Sequence, residues 1–253
     1  MNTKLAVETK SIDLKMPGGT CDAYFSQPKG EGKYPAVVLL MDAFGLRDYL
    51  REMTETLASA GFIVLTPNFF YRIKRSPVVN KQFPLKMEDM PEAVKEIRAL
   101  IGGFNMPEGV EDAEAYLNFL SEQKQFNGKL GVTGYCMGGQ YGLRIAARYP
   151  DRVQAAASFH AGNLATTNDN SPHLLLPKIK ARIYVAHADN DESLPAEQVE
   201  RFAAALKESH PKDTAEVYKN AIHGFTMKDL PAYKEEHLER HWKNLFAHFE
   251  ILK

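Results

Sequence analysis

A chain of 253 residues with 44% hydrophobic and 25% charged residues has ordinary globular usage and room for a substantial core, which excludes a disordered or fibrous class. A formal net charge of −1 offers no overall attraction to nucleic acid or anionic lipid, so no nucleic-acid partner is expected. Cys21 and Cys136, the two cysteines of the chain, are too few for a disulfide framework or a four-thiolate metal site; no metal and no cofactor is expected.

Residues 1–11 carry Lys4, Glu8 and Lys10 and lack the apolar run of a secretory signal. No stretch reaches the roughly 18 consecutive apolar residues of a membrane span, so a cytoplasmic protein without a membrane partner is expected. Residues 11–16 and 21–26 flank Pro17-Gly18-Gly19-Thr20 and read as an antiparallel hairpin at a sheet edge. From Pro35 onward, short apolar runs alternate with segments of helical periodicity, the pattern of a mostly parallel sheet with helices on both faces. The strands fall at 36–41, 62–67, 130–134, 155–159, 182–187 and 215–218, and their continuous apolar character suits interior positions.

Between the strands, Leu46, Leu50, Met53, Leu57 and Ala60 form one helical stripe, with Gly61 as its stop. Val110, Ala113, Leu117 and Leu120 form another, followed by Val199, Phe202, Ala203 and Leu206. Leu238, Trp242, Leu245 and Phe249 are the stripe expected near the C-terminus. Residues 68–87 and 163–177 read as long loops of the kind that line sites. One domain spanning residues 1–253 accounts for the whole pattern.

The most specific signal is Gly134-Tyr135-Cys136-Met137-Gly138-Gly139, between a strand and a helical pattern that ends at Pro150. A nucleophile presented on a strained strand-to-helix turn needs flanking glycines, because side chains there collide with the neighbouring backbone. Cysteine stands where such elbows usually carry serine, and a helix N-terminus favours its thiolate. His223, in the segment after the last strand, is the candidate base. Asp191, four residues before Pro195, is the candidate orienting acid, with Asp189 as its rival. The order Cys136, Asp191, His223 is the nucleophile, acid, base order of α/β-hydrolases. The oxyanion donors would be the backbone N–H groups of Met137 and, in the loop after the first parallel strand, Ala43. Phe44, Tyr71, Phe104 and Phe225 are candidates for an apolar pocket wall, and His160, at a strand end, for a substrate contact. Cys21, on the hairpin, is expected to be inert. A non-catalytic hydrolase-fold protein and a redox-responsive thiol are the competing classes for these residues.

On Met41-Asp42-Ala43-Phe44-Gly45-Leu46, the cysteine elbow, residues 191–195 and His223-Gly224-Phe225, the chain resembles the dienelactone hydrolase (carboxymethylenebutenolidase) family of the α/β-hydrolase fold. The resemblance implies a cofactor-free hydrolase of small lactones or esters acting through an acyl-cysteine; thioesters and aryl esters are substrates of the same class. It also implies a role for Asp42, standing where the family has glutamate, in thiol activation or substrate contact; a monomer or weak dimer is the default expectation. Where an arginine of the family would grip a substrate carboxylate, this chain has Met227, and Arg72, Arg75 and Arg98 are the cations that could cover the site instead.

Overall fold

The computed structural model describes residues 4–253. Its elements are β1 (Val7–Met16), β2 (Gly19–Pro28), β3 (Tyr34–Leu40), α1 (Asp48–Ser59), β4 (Ile63–Pro67), α2 (Met90–Gly103), α3 (Met106–Ser121), β5 (Phe126–Tyr135), α4 (Met137–Arg148), β6 (Ala155–Phe159), β7 (Arg182–Asn190), α5 (Ala196–Ser209), β8 (Thr214–Ile222) and α6 (Glu235–Phe249). The strands form one eight-stranded sheet in the order β1-β2-β4-β3-β5-β6-β7-β8. β1 and β2 are the antiparallel hairpin, β2 joins β4 antiparallel, and every pairing from β4 to β8 is parallel. Met16 pairs with Gly19, so Pro17-Gly18 alone makes the turn.

The parallel strands are buried on both faces. On β5, a Cβ at position 131 would touch Leu252 and Phe249, whereas the neighbouring Val132 meets Gly142 of α4. Because successive strand residues point to opposite faces, α6 and α4 cover opposite sides of the sheet. α1 and α6 flank one cleft. A 3₁₀ turn (Pro172–Lys178) occupies part of the loop expected at 163–177.

Two helical features depart from the expectation. α2, with Pro91 near its start and two glycines at its end, buries only Ala93, Ile97 and Leu100 and carries no strong stripe to read. On α6 the buried line is His237, His241, Leu245 and Phe249, one position out of phase with the expected Leu238 and Trp242 at its first half. A histidine held neutral among aromatic rings is an apolar surface in practice. His241 lies edge-on to Phe159 and Trp242 while its Nε2 meets the Tyr135 hydroxyl at 2.9 Å.

Strand order reverses between β3 and β5, since β4 lies on one side of β3 and β6 to β8 on the other side of β5. At such a switch point the loops leaving adjacent strands diverge and open a crevice at the carboxyl edge. Asp42 and Ala43 follow β3, Cys136 follows β5, His160 follows β6, Asp191 follows β7 and His223 follows β8. All the strand-end candidates therefore leave the sheet at one edge.

Candidate active site

Cys136 sits between β5 and α4 with φ 54° and ψ −122°, a conformation that costs an L-residue on the order of 1–3 kcal/mol and persists only where the surroundings impose it. Here they do. The Cys136 N–H is shared between the Phe159 carbonyl (3.0 Å) and His160 Nδ1 (3.2 Å), and the Cys136 carbonyl accepts from Gly139 N–H at 3.0 Å. A Cβ at Gly134 would overlap the Gly138 carbonyl, and one at Gly138 would overlap the carbonyls of Met41 and Leu40. Those two glycines let the turn close, and they bring the start of α4 against the loop after β3. The thiol is partly exposed.

Asp191 and His223 meet across the adjacent ends of β7 and β8. Asp191 Oδ2 lies 2.7 Å from His223 Nδ1, while Asp191 Oδ1 accepts from the Ser193 backbone N–H at 2.9 Å and its hydroxyl at 2.5 Å. The Asp191 side chain is almost wholly buried. Burial alone would raise its pKa, but the hydrogen bond and charge of His223, with help from Ser193, hold it below the usual range. His223 shows the same contest with the opposite outcome for a base. Its burial disfavours the cation, yet the nearby Cys136 sulfur and Asp191, which is hydrogen-bonded to the imidazole, together hold it well above its ordinary value. With Nδ1 taken by Asp191, Nε2 is the nitrogen left to face the sulfur. Asp189, the rival acid, accepts from Asn220 N–H at 3.1 Å and braces β8.

Met137 and Ala43 are buried beside the elbow. Met137 opens α4, where the first N–H groups of a helix have no intrahelical acceptor. Among the described residues, neither the Met137 nor the Ala43 amide donates to a protein acceptor.

His160 is placed behind Cys136. It is fully buried, has φ 39°, and uses both ring nitrogens. Nδ1 accepts the Cys136 N–H, so Nε2 carries the proton and donates to Thr226 Oγ1 at 2.8 Å. Burial first, then the nearby His223 charge, lowers its pKa well below the ordinary histidine value. Its ring stands edge-on to His223 with centroids 5.3 Å apart. A neutral imidazole therefore ties the elbow to the segment that carries His223, and it leaves no nitrogen for a substrate.

Asp42 is likewise occupied. Its Oδ1 accepts from Arg47 Nη1 at 2.7 Å and from Phe44 N–H at 3.0 Å, and its Oδ2 accepts from Arg47 Nη2 at 2.8 Å. Arg47 turns its other edge to Asp229, with Nε at 2.6 Å and Nη2 at 3.1 Å. The expected part of Asp42 in thiol activation gives way to a buried ion-pair network. Among the other pocket candidates, Phe225 is fully buried and stacked on Tyr218 at 4.8 Å, a core position rather than a wall. Tyr71 donates to Asp112 at 2.7 Å, Arg72 pairs with the same carboxylate, and Arg75 pairs with Asp13. Arg98 is exposed on α2. Phe104 packs with Phe69, Phe70 and Tyr141 in an aromatic cluster. Phe44 lines a cleft of about 450 Å³ together with Phe83, Arg47, Tyr49 and Asp229. Cys21 is fully buried in β2, where burial pushes its thiol up to about 12.

Arg47, Asp229, Ser193 and Thr226 escape a reading by motif. Arg47 and Asp229 lie 182 positions apart and meet only through the fold. Ser193, two residues after Asp191, sits in a turn whose polar side chains all invite a backbone-binding interpretation.

A mostly parallel sheet of this order, with a glycine-flanked nucleophile elbow at its switch point and an acid and a histidine after the last two strands, is the α/β-hydrolase fold. The model of the dienelactone hydrolase family matches residues 21–252, and the chain belongs to that family of hydrolases. A Salmonella typhi relative named "Putative carboxymethylenebutenolidase" is 24% identical over 252 residues, covering 96% of this chain and 87% of the relative. The Klebsiella pneumoniae structure titled "Putative Dienelactone Hydrolase" superposes with a TM-score of 0.80 at 22% identity, covering 97% of this chain and 99% of that one. A dienelactone hydrolase structure from Anabaena variabilis gives a TM-score of 0.67 at 15% identity, over 97% and 98% of the two chains. No helix among the described residues is long and apolar enough to cross a membrane.

Proposed function

We propose that this protein hydrolyses small carboxylic esters or lactones through an acyl-cysteine on Cys136, with His223 as general base and acid and Asp191 as the group that orients it. The observation that carries this reading is the convergence of three strand ends on one sulfur. Cys136 is held at positive φ, its sulfur is the neighbour that most favours a charged His223, and Asp191 fixes His223 Nδ1 at 2.7 Å.

The chemistry follows from that geometry. The imidazole holds the thiol proton as an imidazolium beside the thiolate, and the buried Asp191 carboxylate stabilises that cation. The sulfur attacks the carbonyl carbon, and the carbonyl electron pair moves onto oxygen. In this reading the N–H groups of Met137 and Ala43 receive that oxyanion. Collapse of the tetrahedral species breaks the C–O bond, and the leaving alkoxide takes the proton from His223 Nε2; in a lactone it remains tethered to the acyl chain. His223, now neutral, removes a proton from water. The resulting hydroxide attacks the thioester, the C–S bond breaks, and the thiolate and imidazolium are restored with release of the acid.

The test is a single-turnover experiment with p-nitrophenyl acetate on wild type, Cys136→Ala and Cys136→Ser, following p-nitrophenol release and the intact protein mass. A burst accompanied by one acetyl group on Cys136, and loss of both in the Ala variant, is the expected result. Full activity in Cys136→Ala, or no turnover of any ester by wild type, would overturn the assignment.

A further inference from the structure

Resting on that reading, we propose that the site selects uncharged esters and rejects substrates that carry a carboxylate, because Arg47, the cation paired with Asp42 of the oxyanion loop, has every donor occupied and is outnumbered by the two buried aspartates that hold it. A guanidinium has five N–H groups in a rigid fork. Nε donates to Asp229 Oδ2; Nη1 donates to Asp42 Oδ1 and the Gly45 carbonyl; Nη2 donates to Asp42 Oδ2 and Asp229 Oδ1. No N–H remains for a bidentate grip on a substrate carboxylate, the kind of contact that recognition of such a group requires. The flat face of the fork is covered as well, with the Phe83 ring centred 4.9 Å from the guanidinium carbon.

The charge balance points the same way. Counted by formal charge, Asp42, Arg47 and Asp229 leave one excess negative charge, and all three are buried. Asp42 precedes the oxyanion donor Ala43 directly, so their Cα atoms are about 3.8 Å apart. A second anion brought to the oxyanion hole would approach that excess charge in a partly desolvated setting, where screening by salt is weak. Other cations at this end are also engaged. Arg72 is on Asp112, Arg75 on Asp13, Lys81 on Asp89 and Glu92, and Lys228 on Glu52. Met227 is fully buried.

A neutral group has a place to go. The cleft of about 450 Å³ beside the network has a wall of Phe44, Phe83, Pro77, Pro84 and Val79, with Asp48, Glu52, Lys81 and Lys228 also lining it. It lies between the two loops that carry the site's groups. Phe44 follows Ala43 in one, and Tyr49 and Asp229, which both line it, reach the segment after His223, Tyr49 by donating to the Thr226 carbonyl at 2.9 Å. Aromatic and proline walls fit a ring or short hydrocarbon.

The test compares kcat/KM for methyl 4-acetoxybenzoate and 4-acetoxybenzoate, which place an ester or a carboxylate at the same position of the leaving group. Wild type should favour the neutral ester by at least about tenfold beyond the ratio of their uncatalysed hydroxide rates, a few-kT bias of the sort such local fields produce. Asp229→Asn, which removes one of the two carboxylates, should shrink that preference several-fold. Should Asp229→Asn fail to fold, Glu52→Lys, an exposed reversal of charge on the cleft rim, should shrink it in the same direction. Equal rates on the two esters overturn the proposal. So does a preference for the carboxylate, and its loss in Arg98→Ala would transfer anion recognition to α2. Absence of turnover with both esters, together with no acyl adduct, defeats the hydrolase reading itself and is told apart by the mass measurement.

Discussion

Two histidines flank the elbow cysteine, at the ends of β6 and β8, and the same side chain is driven to opposite protonation states within 5.3 Å. His223 faces a sulfur and a buried carboxylate and gains its proton readily; its side chain keeps 33% exposure, enough for a substrate and water to reach it. His160 is bonded to an N–H donor at one nitrogen and a hydroxyl at the other rather than to an acid, and stays neutral. Partial or complete desolvation disfavours the charged form of both. What separates them is whether the partners stabilise charge or merely complete a neutral hydrogen-bond set. One segment is built to move a proton and the other to hold a backbone still.

The sharpest way to break that contrast is to remove the moving proton. His223→Ala should lower kcat/KM for p-nitrophenyl acetate by about 10⁴-fold, the upper end of what a positioned acid–base group contributes, and steady-state kinetics will show it. A loss under tenfold would leave His223 without the role proposed. Asp191→Asn should cost less, about 10²-fold, because the Ser193 hydroxyl lies 3.2 Å from His223 Nδ1 and keeps a second hydrogen-bonding partner on the ring. In that variant His223 should also release its proton at lower pH than in wild type, read from its imidazole NMR titration, since the Asp191 hydrogen bond and charge are among the causes that raise it.

The same contrast governs what could be read before the fold was known. Strands β3 to β8 are visible because a parallel sheet buried on both faces needs continuous apolar runs, and Cys136, Asp191 and His223 are visible because each follows such a run in a short polar or glycine-rich segment. The buried neutral histidines are not visible in this way. His237 and His241 count as polar in any periodicity, so the α6 stripe is read one position late, although burial keeps both uncharged. His160 is readable as a strand-end residue, but nothing in its neighbourhood says that its two nitrogens will be spent on Cys136 and on Thr226, 66 positions away. Arg47 is hidden for the same reason. Its partners are Asp42, five residues before it, and Asp229, on the far side of the chain, and only the closing of β3 and the β8 loop onto one edge makes a network of them.

If neutrality of the buried imidazoles is imposed by burial, acid should unfold the protein through them. His187 is lowered to about 4 and His241 to about 3, each chiefly by burial. Both values lie below the unfolded histidine value, so under acid the unfolded chain binds the protons that the folded one refuses, and stability falls with pH from about 6.5 downward. Each histidine then costs about 1.4 kcal/mol per pH unit until its folded pKa is reached, or about 2 kcal/mol each near pH 5. Among the described residues neither His187 nitrogen has a hydrogen-bond partner, and its ring lies edge-on to Phe202. His187→Leu should therefore match or exceed wild-type stability near neutral pH and exceed it by about 2 kcal/mol near pH 5, as measured by urea unfolding. An unchanged acid slope in the variant would show that His187 is not among the groups that set it.

The smallest effect sits closest to the nucleophile. His160→Leu keeps a buried side chain of similar bulk but removes the acceptor of one branch of the Cys136 N–H and the donor to Thr226. The other branch, to the Phe159 carbonyl at 3.0 Å, survives, so the elbow should persist with a looser hold. One net hydrogen bond is worth about 1 kcal/mol, and a loss of that size at the reacting geometry lowers kcat by about five- to tenfold. Because both His160 nitrogens are spent on protein groups, KM should stay within about twofold, and the pH dependence of kcat, assigned in the proposed mechanism to His223, should keep its shape. That split separates a residue that positions from one that carries protons. If His160→Leu instead displaces the pH profile as far as a change at Asp191 does, the neutral imidazole is electrically part of the triad, and the two histidines are one titrating unit rather than a scaffold and a base.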